Sequence, residues 1–268
     1  MKLADAVVVL TGATGGIGVA LARRFAAEGA AALVLSDLAP EPLERLAGEL
    51  TGPEVVTVPA DVSAAAEVTG LVATTLDRFG HIDLLCSNAG IATGHGLDAP
   101  DADWARAWSV NVLAHLHAAR AALPSMLERG RGYLLQTCSA AGLLSSPGDA
   151  AYAVTKHGAV ALAEWLAITY GDAGIRVSAL CPQGVRTPMV TDGLATGNVA
   201  ARVVAASGPI LEPDELADAV VRGLDAERFL ILPHPEVARF LRHKAADHDR
   251  WIAGMRRLYA GISASDRA

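Results

Sequence analysis

Five apolar residues, Ala6-Val7-Val8-Val9-Leu10, run unbroken into Thr11-Gly12 close to the start of this 268-residue chain. A short run without polar alternation fits a strand buried on both faces, and such strands belong to parallel sheets covered by helices. The stretch that follows, Gly12-Ala13-Thr14-Gly15-Gly16-Ile17-Gly18, turns the chain and opens a helix reaching about Glu28. A doubly buried strand joined to a helix by a tight glycine turn suits neither a sandwich nor a helical bundle, so the chain must build layers of helix on sheet.

The same unit recurs along the chain. Ala32–Ser36 is a strand ending in Asp37, Leu43–Leu50 is helical, and Val55–Val58 is a strand followed by Ala60-Asp61-Val62. Ser63 is expected to cap a helix that Gly80 terminates. Ile82–Ser87 runs into Asn88-Ala89-Gly90, and Asp101–Arg129 reads as one long helix holding Trp104, Trp108 and Asn111. Tyr133–Thr137, a helix over Ala150–Gly171, Ile175–Leu180 and Phe229–Leu232 complete the alternation. Strand–helix repetition at this spacing implies right-handed crossovers. The expected architecture is α/β: a single Rossmann-like domain over 1–268, with a doubly wound, seven-stranded parallel sheet and helices on both faces. Composition agrees, because 52% of residues are hydrophobic but only 4% aromatic, which favours helices packed closely on a parallel sheet.

Charge and patterning narrow the function. A net charge of −7 argues against a general nucleic-acid surface. No apolar run approaches the ~20 residues of a membrane span. Met1-Lys2-Leu3-Ala4-Asp5 enters the first strand at once, so no export segment is expected. Cys86, Cys138 and Cys181 fall near strand ends and are expected to be buried, reduced thiols of a cytoplasmic protein. His115 and His117 lie two apart on a helix and cannot converge as ligands, while His243 and His248 fit a solvated helical face, so no metal is expected.

Ligands of doubly wound sheets bind outside the carboxyl ends of the strands, where every polar motif of this chain falls. Gly12, Gly16 and Gly18 would let the backbone approach a pyrophosphate at a helix N-terminus. Asp37 lies 19 residues after Gly18, the position of an acid that accepts the adenosine ribose hydroxyls, although a turn or cap aspartate would fit the spacing too. Its charge would repel a 2′-phosphate, and neither Thr14 nor Leu38 is basic, which favours NAD over NADP. Tyr152 and Lys156 are four apart, so they stack on one helix face, where an ammonium can favour a phenolate. With only four tyrosines and three lysines in the chain, such a pair is rare by chance.

From about Ala6 to Met189 the chain resembles the short-chain dehydrogenase/reductase family. The matching pieces are Thr11–Gly18, Asp61-Val62, Asn88-Ala89-Gly90, Asn111, Ser139, Tyr152-x-x-x-Lys156 and Cys181-Pro182-Gln183-Gly184-Val185-Arg186-Thr187-Pro188. The departures are Ser87, where the family often has asparagine, and Cys138, where serine is common. The resemblance implies that Tyr152 is the general acid/base and that Lys156 depresses its pKa and binds the nicotinamide ribose. It implies that Ser139 holds the reacting oxygen and that Asn111 holds a water linking Lys156 to solvent. A strand-end serine and a helix kink are the plainer alternatives for these last two. By the same resemblance Ile17 adjoins the pyrophosphate, Asp61 and Val62 flank the adenine, and Asn88, Ala89 and Gly90 line the cleft. Pro182, Gly184, Val185 and Thr187 would lie at the carboxamide.

The expected activity is NAD-dependent oxidation of a secondary alcohol or reduction of its ketone. A non-redox epimerase or dehydratase that retains NAD, and a catalytically silent NAD-binding regulator, are the alternatives. Residues 189–211 would form a lid whose Val190, Leu194, Val199, Val203 and Val204, with His95, Ser145, Ser146 and Pro147, make an apolar pocket. Residues 234–262 read as a helical extension whose apolar face (Val237, Phe240, Leu241, Trp251, Ile252, Met255, Leu258) needs a partner in this chain or another. A homodimer or homotetramer is the family expectation.

Overall fold

The computed structural model describes residues 1–264. The chain begins with β1 (Val7–Thr11), α1 (Gly16–Ala27), β2 (Ala32–Ser36), α2 (Pro40–Glu49), β3 (Glu54–Thr57), α3 (Ala65–Phe79) and β4 (Leu84–Ser87). Next come α4 (Asp101–Trp108), a π-helical turn (Ser109–Leu113), α5 (Ala114–Glu128), β5 (Gly132–Thr137), α6 (Ala141–Leu144) and α7 (Ala150–Tyr170). After β6 (Ile175–Leu180) follow α8 (Pro188–Ala195), α9 (Val199–Ser207), α10 (Pro213–Asp225), β7 (Leu230–Ile231), α11 (Pro235–Ala246) and α12 (His248–Ala264).

The seven strands form one sheet in the order β3-β2-β1-β4-β5-β6-β7, every pair parallel. The side chains of each strand divide between two cores. Val8, Leu10, Leu33, Leu35, Leu84 and Leu135 face α1, α2 and α10, whereas Val9, Val34, Leu85 and Leu134 face α3, α5 and α7. Burial on both faces is why these strands appear as unbroken apolar runs. The order reverses between β1 and β4, so the ends of these two strands flank the crevice in which such sheets bind ligands.

Two local expectations change. Ser63 does not cap α3, whose N-cap is Ala64; its backbone N–H instead donates to Asp61 Oδ1 at 2.9 Å. The stretch 101–129 is not one regular helix, because the π turn inserts a residue and Ala114 N–H reaches back to Ser109 O. Between α9 and β7 stands a helix not anticipated from the sequence, α10, opened by a capping box of Glu212 and Glu215. Gly80 does close α3, in a left-handed conformation at φ 76°.

The C-terminal helices dock on their own chain. Val237, Phe240, Leu241 and Trp251 pack on Ala140 and Leu144 beside α6, and the Phe240 and Trp251 rings lie 6.1 Å apart. Among the described residues no helix is long and apolar enough to cross a membrane, no His, Cys, Asp and Glu side chains cluster as a metal site, and the three cysteines are buried and free.

Candidate active site

A cavity of about 1130 Å³ runs along the carboxyl ends of β1, β2, β4, β5 and β6. It is lined by Gly12, Thr14, Gly16, Ile17, Gly18, Asp37, Leu38, Asp61, Val62, Asn88, Ala89, Gly90, Ser139, Tyr152, Lys156, Pro182, Val185 and Thr187. Of the residues expected to act in catalysis or hold the cofactor, only Asn111 and Gly184 do not line it.

At one end the glycine turn leaves no room for side chains. Gly12 has φ +62°, and a Cβ there would stand 2.7 Å from Ala89 Cα; a Cβ on Gly18 would stand 2.1 Å from Gly12 O. A Cβ on Gly16 would meet Thr187 Cγ2 at 2.6 Å, so the backbone passes close to the far wall. The turn is held by Asp37, whose Oδ2 accepts from Thr14 N at 3.0 Å and Thr14 Oγ1 at 2.5 Å while Oδ1 accepts from Leu38 N at 2.8 Å. Asp61 is held below its ordinary carboxyl pKa, chiefly by the Ser63 side chain and backbone. This bare cradle at the N-terminus of α1, with an acid at the end of β2, fits the pyrophosphate and ribose of a dinucleotide.

Asn88 is a clamp between strands. Its Nδ2 donates to Thr11 O at 3.2 Å and Gly12 O at 3.1 Å, and its Oδ1 accepts from Thr137 Oγ1 at 3.0 Å. Asn111 is fully buried, with Oδ1 accepting from Ile91 N and Nδ2 donating to Ile91 O, both at 2.9 Å, and to Thr155 Oγ1 at 3.1 Å. Its side chain therefore pins the segment following β4 to α7.

The reactive cluster gathers around α7. Ser139 is buried at the end of β5, and its Oγ accepts from Ala141 N at 3.1 Å. Lys156 is buried, donates to Thr137 O at 3.0 Å, and lies 5.7 Å from the Tyr152 ring centroid. Gly90 makes room for it, since a Cβ there would come within 3.2 Å of Lys156 Nζ. Burial sets the direction of the tyrosine's pKa here. Burial holds the Tyr152 phenol above its ordinary value, the hydrogen bond shared with Ser139 pulls it back, and the Asp149 carboxylate adds to the rise. The ammonium is itself lowered by burial. The lysine's charge is spent on a backbone carbonyl rather than on the phenol oxygen.

Several contributors were not legible from motifs. Asp149 caps α7 by accepting from Tyr152 N at 2.9 Å; an aspartate just ahead of an alanine-rich helix start is the signal that could have found it. His234 is fully buried; its Nδ1 accepts from Gln183 N at 3.1 Å and its Nε2 donates to Gly184 O at 3.0 Å, which fixes the 182–184 turn from behind. Phe240, Trp251, Met255 and Leu258 close the outer end of the cavity. His95, Pro147, Leu194 and Val199 do not reach it, while Ser145, Ser146, Val190, Val203 and Val204 do.

This geometry is that of a nucleotide-dependent oxidoreductase, and the chain belongs to the short-chain dehydrogenase/reductase family. The sequence profile described as short chain dehydrogenase matches residues 6–196. The 1-deoxy-11-beta-hydroxypentalenate dehydrogenase of Streptomyces avermitilis is 36% identical over 259 residues, covering 94% of this chain and 93% of the relative. The D-beta-hydroxybutyrate dehydrogenase of Rhizobium meliloti is 31% identical over 250 residues, covering 92% and 93%. Among solved structures, a short chain dehydrogenase/reductase from Burkholderia phymatum in complex with NAD superposes with a TM-score of 0.84 at 31% identity, covering 93% of this chain and 96% of that one.

Proposed function

We propose that this protein is an NAD-dependent dehydrogenase that interconverts a hydrophobic secondary alcohol and its ketone, with Tyr152 as the general acid/base. The observation that carries this reading is one continuous cavity that joins the glycine cradle and Asp37 to Ser139, Tyr152 and Lys156. When bound, the nicotinamide supplies the two-electron chemistry. The chain's residues do the rest. Tyr152 takes the alcohol proton on oxidation or returns it to the carbonyl oxygen on reduction. Ser139 holds that oxygen, stabilising the charge that develops on it. Lys156 would orient the nicotinamide ribose, with Val185 and Thr187 at the carboxamide, and Asn111 would hold the relay's geometry. A panel of secondary alcohols and ketones followed at the NADH absorbance tests the assignment; absence of turnover with every member, with NADH bound, would count against it.

NAD use rests on Asp37 and on Leu38, which is 63% exposed and offers no cation to a 2′-phosphate. Asp37→Ala with Leu38→Arg is expected to shift the kcat/KM ratio toward NADP by roughly tenfold or more, the scale of a hydrogen bond to a charged group. Because Asp37 also ties down Thr14, affinity for both cofactors should fall. An unmodified protein that already prefers NADP would sink the assignment.

The substrate end is apolar, bounded by Val190 and Val203 of the α8–α9 hairpin, which we read as the lid, and by Trp251, Met255 and Leu258. A large apolar cavity suits a bulky alcohol, in keeping with the pentalenate relative's named substrate. The three free thiols fit a reducing cytoplasm. Trp165 and Ile168 stand 55% and 84% exposed on α7, and we assign this face to a second copy of the chain in a homodimer or homotetramer. Changing both to Glu should lower the mass of the assembly by light scattering; an unchanged mass would place the contact elsewhere.

A further inference from the structure

Asp149 does more than cap a helix. It is 2% exposed, and its carboxylate accepts four hydrogen bonds. Tyr152 N and Thr93 Oγ1 reach Oδ1 at 2.9 and 2.7 Å, while Thr93 N and Gly94 N reach Oδ2 at 2.8 and 2.7 Å. A cap on α7 needs only the first of these. The other three fasten the segment after β4 to the helix that carries the tyrosine.

That segment is in turn held by the α8–α9 hairpin. Asn198, at the bend between the two helices, donates from Nδ2 to Gly94 O at 3.1 Å and caps α9 by accepting from Ala201 N at 3.2 Å. Gly94 takes φ +71°, and a Cβ there would press within 2.9 Å of Asn198 Nδ2, so glycine serves both the conformation and the approach. A second contact runs alongside: a Cβ on Gly148, next to Asp149, would lie 2.7 Å from Ala200 N. Hydrogen bonds thus run from the hairpin through a single residue, Gly94, to a buried carboxylate and on to the backbone of Tyr152.

We propose that Asp149 is a positioning residue that registers the α8–α9 hairpin against Tyr152 through Gly94 and Asn198, so that closing the substrate end and aligning the tyrosine are one event. The catalytic half of this proposal rests on the reading of Tyr152 as the proton-transfer group; the mechanical half does not. Opening the hairpin breaks the bond to Gly94 O and frees the 91–96 segment that Asp149 organises. The carboxylate then shares its oxygens between a fixed helix end and a loosened segment.

Two serine variants separate this linkage from simple capping, because serine retains an N-cap oxygen but is too short to span the gap. Asn198→Ser keeps a cap for α9 and loses the donor to Gly94; Asp149→Ser keeps a cap for α7 and loses Thr93 and Gly94. In amide hydrogen exchange on the full chain, Asn198→Ser is expected to accelerate exchange over 188–207 by roughly three- to tenfold, the scale of one hydrogen bond. Asp149→Ser is expected to accelerate both 91–96 and 188–207. With NAD bound and a responsive alcohol, Asn198→Ser should raise KM about three- to tenfold with kcat within about twofold. Asp149→Ser should lower kcat as well, and NADH affinity by fluorescence titration should stay within about twofold in both. Asp149→Ser that loosens 91–96 and leaves 188–207 at the native exchange rate would overturn the coupling, as would Asn198→Ser without change in exchange. If no alcohol is turned over, the proposed function fails, and the exchange pattern still decides the linkage.

Discussion

Tyr152→Phe is expected to lower kcat by roughly 10²–10⁴ while leaving NADH binding within about twofold, the loss typical of a positioned acid/base group. The ring keeps its place against Lys156, and only the proton-bearing oxygen is removed. The sign of the pH dependence follows from the environment of that oxygen. Burial holds the phenol above its ordinary value, so in the free protein the protonated form dominates at neutral pH. Reduction needs the phenol protonated and should be level across neutral pH, falling only in the alkaline range. Oxidation needs the phenolate and should rise over that same range. Tyrosinate absorbance, taken as the difference between native protein and Tyr152→Phe, should ionise above the ordinary phenol value. It should ionise later still in Ser139→Ala, which loses the hydrogen bond that pulls the value down. Ionisation below the ordinary value in the cofactor-free protein would contradict this account, and an unaltered kcat in Tyr152→Phe would remove the tyrosine from the mechanism.

The second large effect is expected at Gly18, where the new carbon of Gly18→Ala would fall 2.1 Å from Gly12 O and 2.8 Å from Ala13 Cα. Both obstacles are backbone, so neither can rotate away. The turn must open or α1 must shift against β1, at a cost of about 1–3 kcal/mol or more. A lowered Tm together with loss of NADH binding in a thermal-shift titration is the expected result. Gly15 is the internal control, because a Cβ there meets only Gly12 O, at 3.5 Å, and Gly15→Ala should keep its native Tm. Equal destabilisation by both substitutions would mean that backbone freedom, and not this close approach, sets the requirement for glycine.

The inner strands were legible because they are wrapped on both sides, with β1 and β2 buried at every position. The cleft was legible because its glycines, Asp37 and Ser139 sit where strands end, while Tyr152 and Lys156 share one face of α7 beside them. What escaped depends on side-chain geometry that spacing does not encode. The π turn at 109–113 leaves the surrounding hydrophobic pattern intact, so 101–129 reads as one helix, and Asn111 alone hints at the insertion. Ser63 has the right identity for a cap but finds the Asp61 carboxylate first. Lys156 and Tyr152 share a helix face as their spacing demands, yet the ammonium reaches Thr137 O, a partner no local pattern names. His234 acts on the 183–184 backbone from 50 residues downstream, a relation only the folded chain reveals.

The closing of the cavity by α12 has a consequence for how such a chain can diversify. The residues assigned to proton transfer and to the dinucleotide all lie between Gly12 and Thr187, whereas Trp251, Met255 and Leu258 belong to the last helix. That helix packs on α9 and α11 rather than in the sheet, so its side chains can be exchanged without disturbing a strand end. During synthesis the reaction chamber acquires its outer wall last, after every group assigned to the chemistry is already in the chain. New shapes of the cavity's outer wall can thus be tried on α12 while the groups assigned to proton transfer stay as they are.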